Sequence, residues 1–460
     1  MNKLLVCLAP ALILAVGMTC QAETPLERAL LRAVRDAHFE QVIDFGAGNE
    51  DHPVKAATTI ARPPNVDLAV IQLDEQGRQV AAADVLLSRD YPDGVIVPLD
   101  RDSGALRVRF LRWDIARSDG GTFAGTDGHL LALKGWTNNP PLTAADDLVA
   151  GRTNTLFQFM APYPASLFKS MVAFHIVRMI VAGRLTLDSQ YCYTVSGAPP
   201  ESRKIRDWLD PMITVSDNHA TSALIKLLHD RDEIEPLNRE FRELNLTTLQ
   251  INSTRPVDGL GWQPGQIHMT AFDTARLFQI IDGGPGVFWH DANGKPVTAL
   301  LLSATSRSFL KQLLAEQAFN EALTTANFPG APNVRPGIPS LVADRWINPT
   351  NGRVIVEGTD YGVDIRAINA RAAVIFAHKT GLTFNYGSDA GIVISLAGQP
   401  FRHYIIAFLA NLGYRYADEE FMSRTNFPAF DNVRPVSYTQ RIPALGRAVD
   451  DALIKLSAGQ

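Results

Sequence analysis

Cysteine is scarce in this chain: 460 residues carry three, Cys7, Cys20 and Cys192. Two of them fall in the first twenty positions, inside a stretch that reads as a secretory signal. Lys3 gives a positive start, Leu4 to Val16 is apolar, and Thr19-Cys20-Gln21-Ala22 resembles a small-residue cleavage site. Cleavage after Ala22 leaves Cys192 alone, which excludes an internal disulfide. The alternative is a lipoprotein acylated at Cys20, although Gly17-Met18-Thr19 is unlike the usual lipobox. No activating pattern surrounds Cys192, so it is expected to be a small apolar filler. Beyond the leader no apolar run is long enough to span a membrane. The expectation is an exported protein, periplasmic or secreted, without a membrane span. Charge of one sign is also lacking: 43 Lys and Arg face 48 Asp and Glu, a net −5 that argues against nucleic acid as a partner. The ten histidines show no paired ligand spacing, so neither a metal nor another cofactor is expected.

What is present is a sequence of ordinary apolar content with helices and strands interleaved. Thr24-Pro25-Leu26-Glu27 has Thr at N-cap, Pro at N1 and Glu at N3, and predicts a helix running to about Ile43. Short β-like runs begin at Val66, with Asp67 to Leu73 and Leu106 to Phe110 the clearest. From Ser166 to Gly183 the pattern is apolar almost all round, as expected of an interior helix. Further helices are predicted at Ala220 to Leu228, Glu233 to Leu244, Thr270 to Ile281 and Ser306 to Leu323. Strands are predicted at Ala372 to Lys379, Gly391 to Leu396 and His403 to Ala410, and a closing helix from Ile442 to Leu456.

Three short motifs stand in order: Ser166-Leu167-Phe168-Lys169, Ser216-Asp217-Asn218 and Lys379-Thr380-Gly381. Each alone has a plain structural reading. Ser166 and Ser216-Asp217 fit helix caps, Lys169 a side chain reaching for the surface, and Lys379 with Gly381 a strand end. A second S-x-x-K, Ser308 to Lys311, shows how easily that pattern arises; it lies after S-D-N and reads as an exposed helix start. Jointly the three motifs have a chemical reading. Ser at i and Lys at i+3 share a helical face, so the amine can reach the hydroxyl. A lysine desolvated beside another cation loses its proton more readily and can act as a base. Ser216 would relay a proton to a leaving nitrogen, Asn218 would hold an amide carbonyl, and Asp217 would shape the loop. Thr380 and Lys379 would take a substrate carboxylate, and Gly381 would let a ligand approach the backbone. His219 and His378 are left outside the site, the latter because alternation turns it to the other sheet face.

S-x-x-K, S-D-N and K-T-G in this order resemble the class A β-lactamase and penicillin-recognising serine hydrolase family, from about Gln158 to Gly413. The resemblance implies an α/β fold: an antiparallel sheet built from both chain ends, flanking helices, and a mostly helical lobe. It implies Ser166 as nucleophile, Lys169 as general base, Ser216 as proton shuttle, and Asn218, Lys379 and Thr380 as substrate-binding groups. The backbone N–H groups of Ser166 and Leu382 would form the oxyanion hole. The substrate would be a small molecule: a β-lactam, or an acyl-D-Ala-type peptide or ester. Three departures stand out. The family's deacylating Ω-loop glutamate is missing between Asn245 and Met269, where Asp258 is the only carboxylate and hence the candidate replacement. A β-rich addition is expected from Val66 to about Asp147, and a second expansion from Pro329 to Arg371. The expected division is a leader (1–22), an N-terminal helix and β-rich extension (23–147), and a catalytic domain (148–460) with an insertion at 329–371. A β-lactamase-type hydrolase, a D-alanyl-D-alanine carboxypeptidase, an esterase and a penicillin-binding sensor that stalls after acylation all remain open.

Overall fold

The computed structural model describes residues 22–44, 58–60, 63–112, 142–152, 155–331, 334–419 and 438–458. The leader, with Cys7 and Cys20, lies outside them. Thr24 and Glu27 form the expected capping box on helix α1 (Pro25–Asp36): the Glu27 N–H donates to Thr24 Oγ1 at 3.2 Å and the Thr24 N–H to Glu27 Oε2 at 2.6 Å. The helix stops seven residues before the sequence suggests. His38 turns left-handed at φ 51°, Phe39 is buried, and Ile43–Asp44 leaves to pair with Tyr416–Ala417.

Strands β1 (Val66–Leu73), β2 (Gln79–Ser88), β3 (Tyr91–Ile96), β4 (Val374–Leu382), β5 (Gly387–Ser395) and β6 (His403–Ala410) make one antiparallel sheet in the order β4-β5-β6-β1-β2-β3. Both chain ends thus contribute, as expected of the α/β class. Central strands β1 and β6 are buried on both faces, which explains their unbroken apolar runs. One face, with Leu68, Val70, Ile406 and Phe408, packs on α1 and the closing helix Arg441–Ala458. The other, with Ala69, Ile71, Ile405 and Ala407, packs on the helical lobe.

The division of the chain at residue 147 does not match the sheet. β1 to β3 belong to the same sheet as β4 to β6. The added N-terminal material comes after β3 instead. It comprises a ribbon of Leu99–Asp100 with Gly104–Ala105, and Val108–Leu111 paired in parallel with Phe157–Met160. That parallel pair delivers the chain to Ser166.

The lobe contains α2 (Lys169–Val181), α3 (Ile205–Thr214), α4 (Asn218–Asp230), α5 (Ile234–Glu243), α6 (Ala271–Asp282) and α7 (Ala304–Ala315). α2 is interior, as its all-round apolar pattern requires. α3 forms despite Pro211 within it, a residue that argues against a helix interior. α7 ends at Ala315 rather than Leu323, because the backbone beyond it bonds elsewhere: the Ala318 N–H donates to the Thr214 carbonyl and the Leu323 N–H to Asp389. Cys192 is exposed, not a core filler; it lies on the outward side of the Gln190–Tyr193 strand, whose Tyr193 takes the buried side. Among the described residues no helix is long and apolar enough to cross a membrane.

Two carboxyls lie inside the sheet–lobe interface. Asp67 and Asp84 sit diagonally on adjacent strands, fully buried, with no basic partner among the described residues. Asp67 Oδ2 accepts the Ala271 N–H at 2.8 Å, fastening the start of α6 to β1. Burial pushes Asp67 up to about 7; burial and then the Asp67 charge push Asp84 well above the carboxylate range. Between the ordinary carboxylate pKa and about 7 the folded protein therefore holds protons that the unfolded chain has lost, so stability falls as pH rises through that window. Urea midpoints should drop from about pH 5 to about pH 8 in the wild type and change less in Asp84→Asn. A midpoint that climbs over this range in the wild type would contradict the raised pKa of these buried carboxyls.

Candidate active site

Ser166 lies in a 3₁₀ turn, Ala165–Phe168, that runs directly into α2. Its partly exposed side chain therefore stands on a turn whose neighbours Leu167 and Phe168 are buried. Ala165 adopts φ 48°, a left-handed conformation that costs a non-glycine residue about 1–3 kcal/mol. The turn is held from outside. Ser388 Oγ lies 2.5 Å from the Pro164 carbonyl and 3.1 Å from that of Gly381. A Cβ on Gly381 would sit 2.4 Å from the Pro164 carbonyl oxygen and 2.7 Å from the Leu167 nitrogen. The close approach that demands glycine at 381 is thus made by the Ser166 turn itself. It also sets Leu382, next along the strand, beside the Ser166 turn.

K-T-G lies within β4, not at its end as the sequence suggests; the strand continues through Leu382. β4 is an edge strand, and the Ser166 turn packs against it. Lys379 and Thr380 are buried. His378 faces away from the cleft, as alternation predicts, stacked 4.1 Å from the Phe376 ring and bonded to Asp389 Oδ1 at 2.7 Å.

Ser216 lies just past the C-terminus of α3 and, like Ala165, is left-handed, at φ 58°. Asp217 caps α4 by accepting the Ala220 N–H, which confirms its structural part. Asn218 opens α4. These turns bring the motifs together. Lys169 Nζ donates to the Ser216 carbonyl, reaches Asn218 Oδ1 at 2.8 Å and lies 3.1 Å from Ser216 Oγ. Lys379 Nζ lies 3.0 Å from the same Ser216 hydroxyl and donates to the Thr380 carbonyl at 2.7 Å. One hydroxyl is therefore shared by two buried amines.

That arrangement sets the electrostatics. Burial, then the Lys379 charge, hold Lys169 well below the ordinary lysine range against the opposing pull of Asp217. Burial lowers Lys379 to about 7, with Asp389 opposing. A neutral Lys169 has two N–H groups for its two carbonyl-type partners and a lone pair left for a hydroxyl. Ser166 Oγ has no hydrogen-bond partner among the described residues, so it is free for a reacting group.

Asp258 is not brought to this cluster. Its carboxylate is taken by Arg255, at 3.1 Å from Nε, and by the Leu260 N–H at 3.0 Å. Its slight burial would raise its pKa, but these partners hold it below the ordinary carboxylate range. Among the described residues no carboxylate bonds Lys169 or Ser166. What the Asn252–Gln266 stretch does bring close is Trp262: its carbonyl accepts Tyr163 Oη at 2.8 Å, and its ring lies 5.8 Å from that of Phe168. His219 pairs with Glu201 at 2.7 Å and packs on Tyr193 and Trp208. In the second S-x-x-K, Ser308 is an exposed residue within α7 and Lys311 is bonded by Asp282 at 2.8 Å. The expansion at 329–371 carries a hairpin, Arg353–Val356 with Thr359–Asp364, and packs on Phe319 and Phe328. Arg345 within it bonds Asp210 and Glu316.

Over residues 160–424, more than half the chain and all three motifs, the sequence matches the Beta-lactamase enzyme family. The chain belongs to that family. Among solved structures it is similar to PBP-A, at 19% identity and TM-score 0.39 over 64% of this chain and 82% of that one. It is also similar to a β-lactamase from Chitinophaga pinensis DSM 2588, at 16% identity and TM-score 0.37 over 65% and 86% of the two chains. An ancestral class A β-lactamase is similar at 14% identity and TM-score 0.37 over 64% and 85%. No curated protein matches.

The contact at Gly381 gives a direct check. Gly381→Ala should lower unfolding stability by about 1–3 kcal/mol, the range for overpacking a tight site, read from urea denaturation. An unchanged midpoint would mean that the strand does not press on the Ser166 turn.

Proposed function

We propose that this protein is an exported serine hydrolase that is acylated at Ser166 by β-lactams or related acyl-D-Ala-type amides and esters. The observation that carries the reading is the Ser216 hydroxyl shared by Lys169 and Lys379, both desolvated, with Ser166 in the turn that leads to Lys169 and unpartnered among the described residues. The leader-like N-terminus supports export.

In this reading Lys379 in its charged form and Thr380 take the substrate carboxylate, and Asn218 an amide carbonyl. The lone pair of Lys169 accepts the Ser166 proton as Oγ attacks the acyl carbon. The N–H groups of Ser166 and Leu382 receive the oxyanion. As the tetrahedral species collapses, the C–N or C–O bond breaks and the leaving atom takes a proton from Ser216. Ser216 is replenished from the lysine beside it. The product is an ester of Ser166. Its hydrolysis needs a water and a base, and with Asp258 tied to Arg255 no carboxylate among the described residues is bonded at Ser166 or Lys169 to supply that base. Loss of general-base help slows a step by about two to four orders of magnitude. The second reading, a penicillin-binding protein that turns over slowly or not at all, rests on that observation.

A fluorescent penicillin should label the wild type stoichiometrically in a burst, with slow release afterwards. Ser166→Ala should not be labelled; equal labelling of both would reject Ser166. Asp258→Asn should leave the release rate within about threefold, whereas a loss of the size expected for general-base removal, about a hundredfold, would restore Asp258 as the base. The second-order acylation rate should rise with pH as Lys169 loses its proton. For carboxylate-bearing substrates it should then fall as Lys379 loses its charge, near pH 7 in the free enzyme. An uncharged ester should lack that alkaline limb. The same limb for both substrates would separate Lys379 from carboxylate binding.

A further inference from the structure

Behind the cleft, residues 317–327 cross from the end of α3 to the back of β4. Gln317, Asn320, Thr324 and Asn327 are buried there, in a run whose first part, to Leu323, the sequence suggests is helix and that the structure uses as a strap. At one end the Ala318 N–H donates to the Thr214 carbonyl at 2.7 Å, and Gln317 Nε2 to the Ile213 carbonyl at 2.9 Å. Those are carbonyls of the last turn of α3, immediately before Ser216, and a helix end left without partners is not stable when buried. At the other end Asn320 Oδ1 meets His378 Nε2 at 3.2 Å, and the Leu323 N–H meets Asp389 Oδ2 at 3.1 Å. His378 precedes Lys379, and Asp389 is the register partner of Thr380. Asn320 joins the two ends. Its Nδ2 donates to the Gln317 carbonyl at 2.9 Å and to Asn327 Oδ1 at 3.2 Å. Asn327 is in turn oriented by donating to the Ala318 carbonyl at 2.8 Å. With both its N–H groups committed, Asn320 has only its oxygen to offer His378.

We propose that Asn320 is a positioning residue that holds the S-D-N turn and the K-T-G strand at the separation where Ser216 Oγ reaches both Lys169 and Lys379. It touches neither Ser166 nor a substrate, and its effect on acylation rests on the function proposed above. Removing its amide leaves the Gln317 carbonyl, Asn327 Oδ1 and His378 Nε2 without their partner. Buried polar groups in that state draw in water or shift until they find one. Either outcome loosens the end of α3 against β4 and relieves the desolvation that lowers the pKa of both amines. The charged groups acting on those amines are each other, Asp217 of the turn and Asp389 of β5, which is itself bonded to His378. Of the titratable groups linked to these, Asn320 touches His378 alone, through Oδ1.

The test tracks the lysines by NMR titration of protein labelled at lysine 13Cε, in the wild type, Asn320→Ala and the milder Asn320→Ser. Phe328→Leu, a buried apolar change in the same strap, controls for stability. Two wild-type resonances should titrate below the ordinary lysine range, and in the Asn320 variants both should move up by about one unit. At a pH below the wild-type Lys169 titration, acylation by a fluorescent penicillin should fall about tenfold in the Asn320 variants, in proportion to the lost neutral amine. Phe328→Leu should lower the unfolding midpoint and leave the titrations in place. Wild-type titrations in Asn320→Ser, or an equal shift in Phe328→Leu, would overturn the proposal. Shifted titrations in a protein that penicillin never labels would keep the strap and reject the function; labelling with unshifted titrations would do the reverse.

Discussion

Two amines share one hydroxyl in this protein, and much of the surrounding structure exists to keep them there. Lys169 arrives on a helix buried all round, and Lys379 on the edge of a sheet covered on both faces. Neither can reach bulk water. Two like charges held against a common oxygen, in a medium of low polarity, are strongly disfavoured. The arrangement favours loss of a proton, and that loss leaves Lys169 with a free lone pair at a pH where an ordinary lysine would be charged.

Holding this arrangement requires contacts between parts of the chain that are distant in sequence. Ala165 and Ser216 both adopt left-handed backbone conformations that their residue types resist. The packing around them keeps them so. Gly381 and Ser388 press on the turn before Ser166, and the strap of Gln317 to Asn327 braces the turn at Ser216 from behind. Strain of this kind is tolerable because the same neighbours that impose it bury apolar surface elsewhere in the lobe. The expansion after Pro329 lies over the strap, sealing its buried amides from solvent.

In the function proposed here the chemistry divides at the acyl-enzyme. The three motifs supply the groups that would form it, and Lys169, Ser216, Asn218 and Lys379 meet in one hydrogen-bonded cluster. The stretch that ought to provide the deacylating base instead carries Asp258, locked to Arg255 three residues before it. An aspartate in that pair is both displaced and weakened as a base, since its charge is stabilised.

Where the signals are local, the order of amino acids was enough. The capping box at Thr24, the interior helix after Ser166, the runs of β1 and β6, and the three motifs all reflect short-range rules of capping, periodicity and residue chemistry. His378 was placed on the far face by alternation alone. Elsewhere a distant partner outweighs local preference, and only the packed molecule makes the choice. Residues 316–323 look helical, yet their backbone groups find better partners at Thr214 and Asp389. Cys192 looks like core filler, but the strand it occupies turns Tyr193 inward instead. Asp258 looks available until Arg255 is seen to hold it. The demand for glycine at 381 comes from a turn more than two hundred residues earlier. Local energies choose the elements, but which surfaces are excluded from water, and so which protons are held or lost, is settled only when those elements pack.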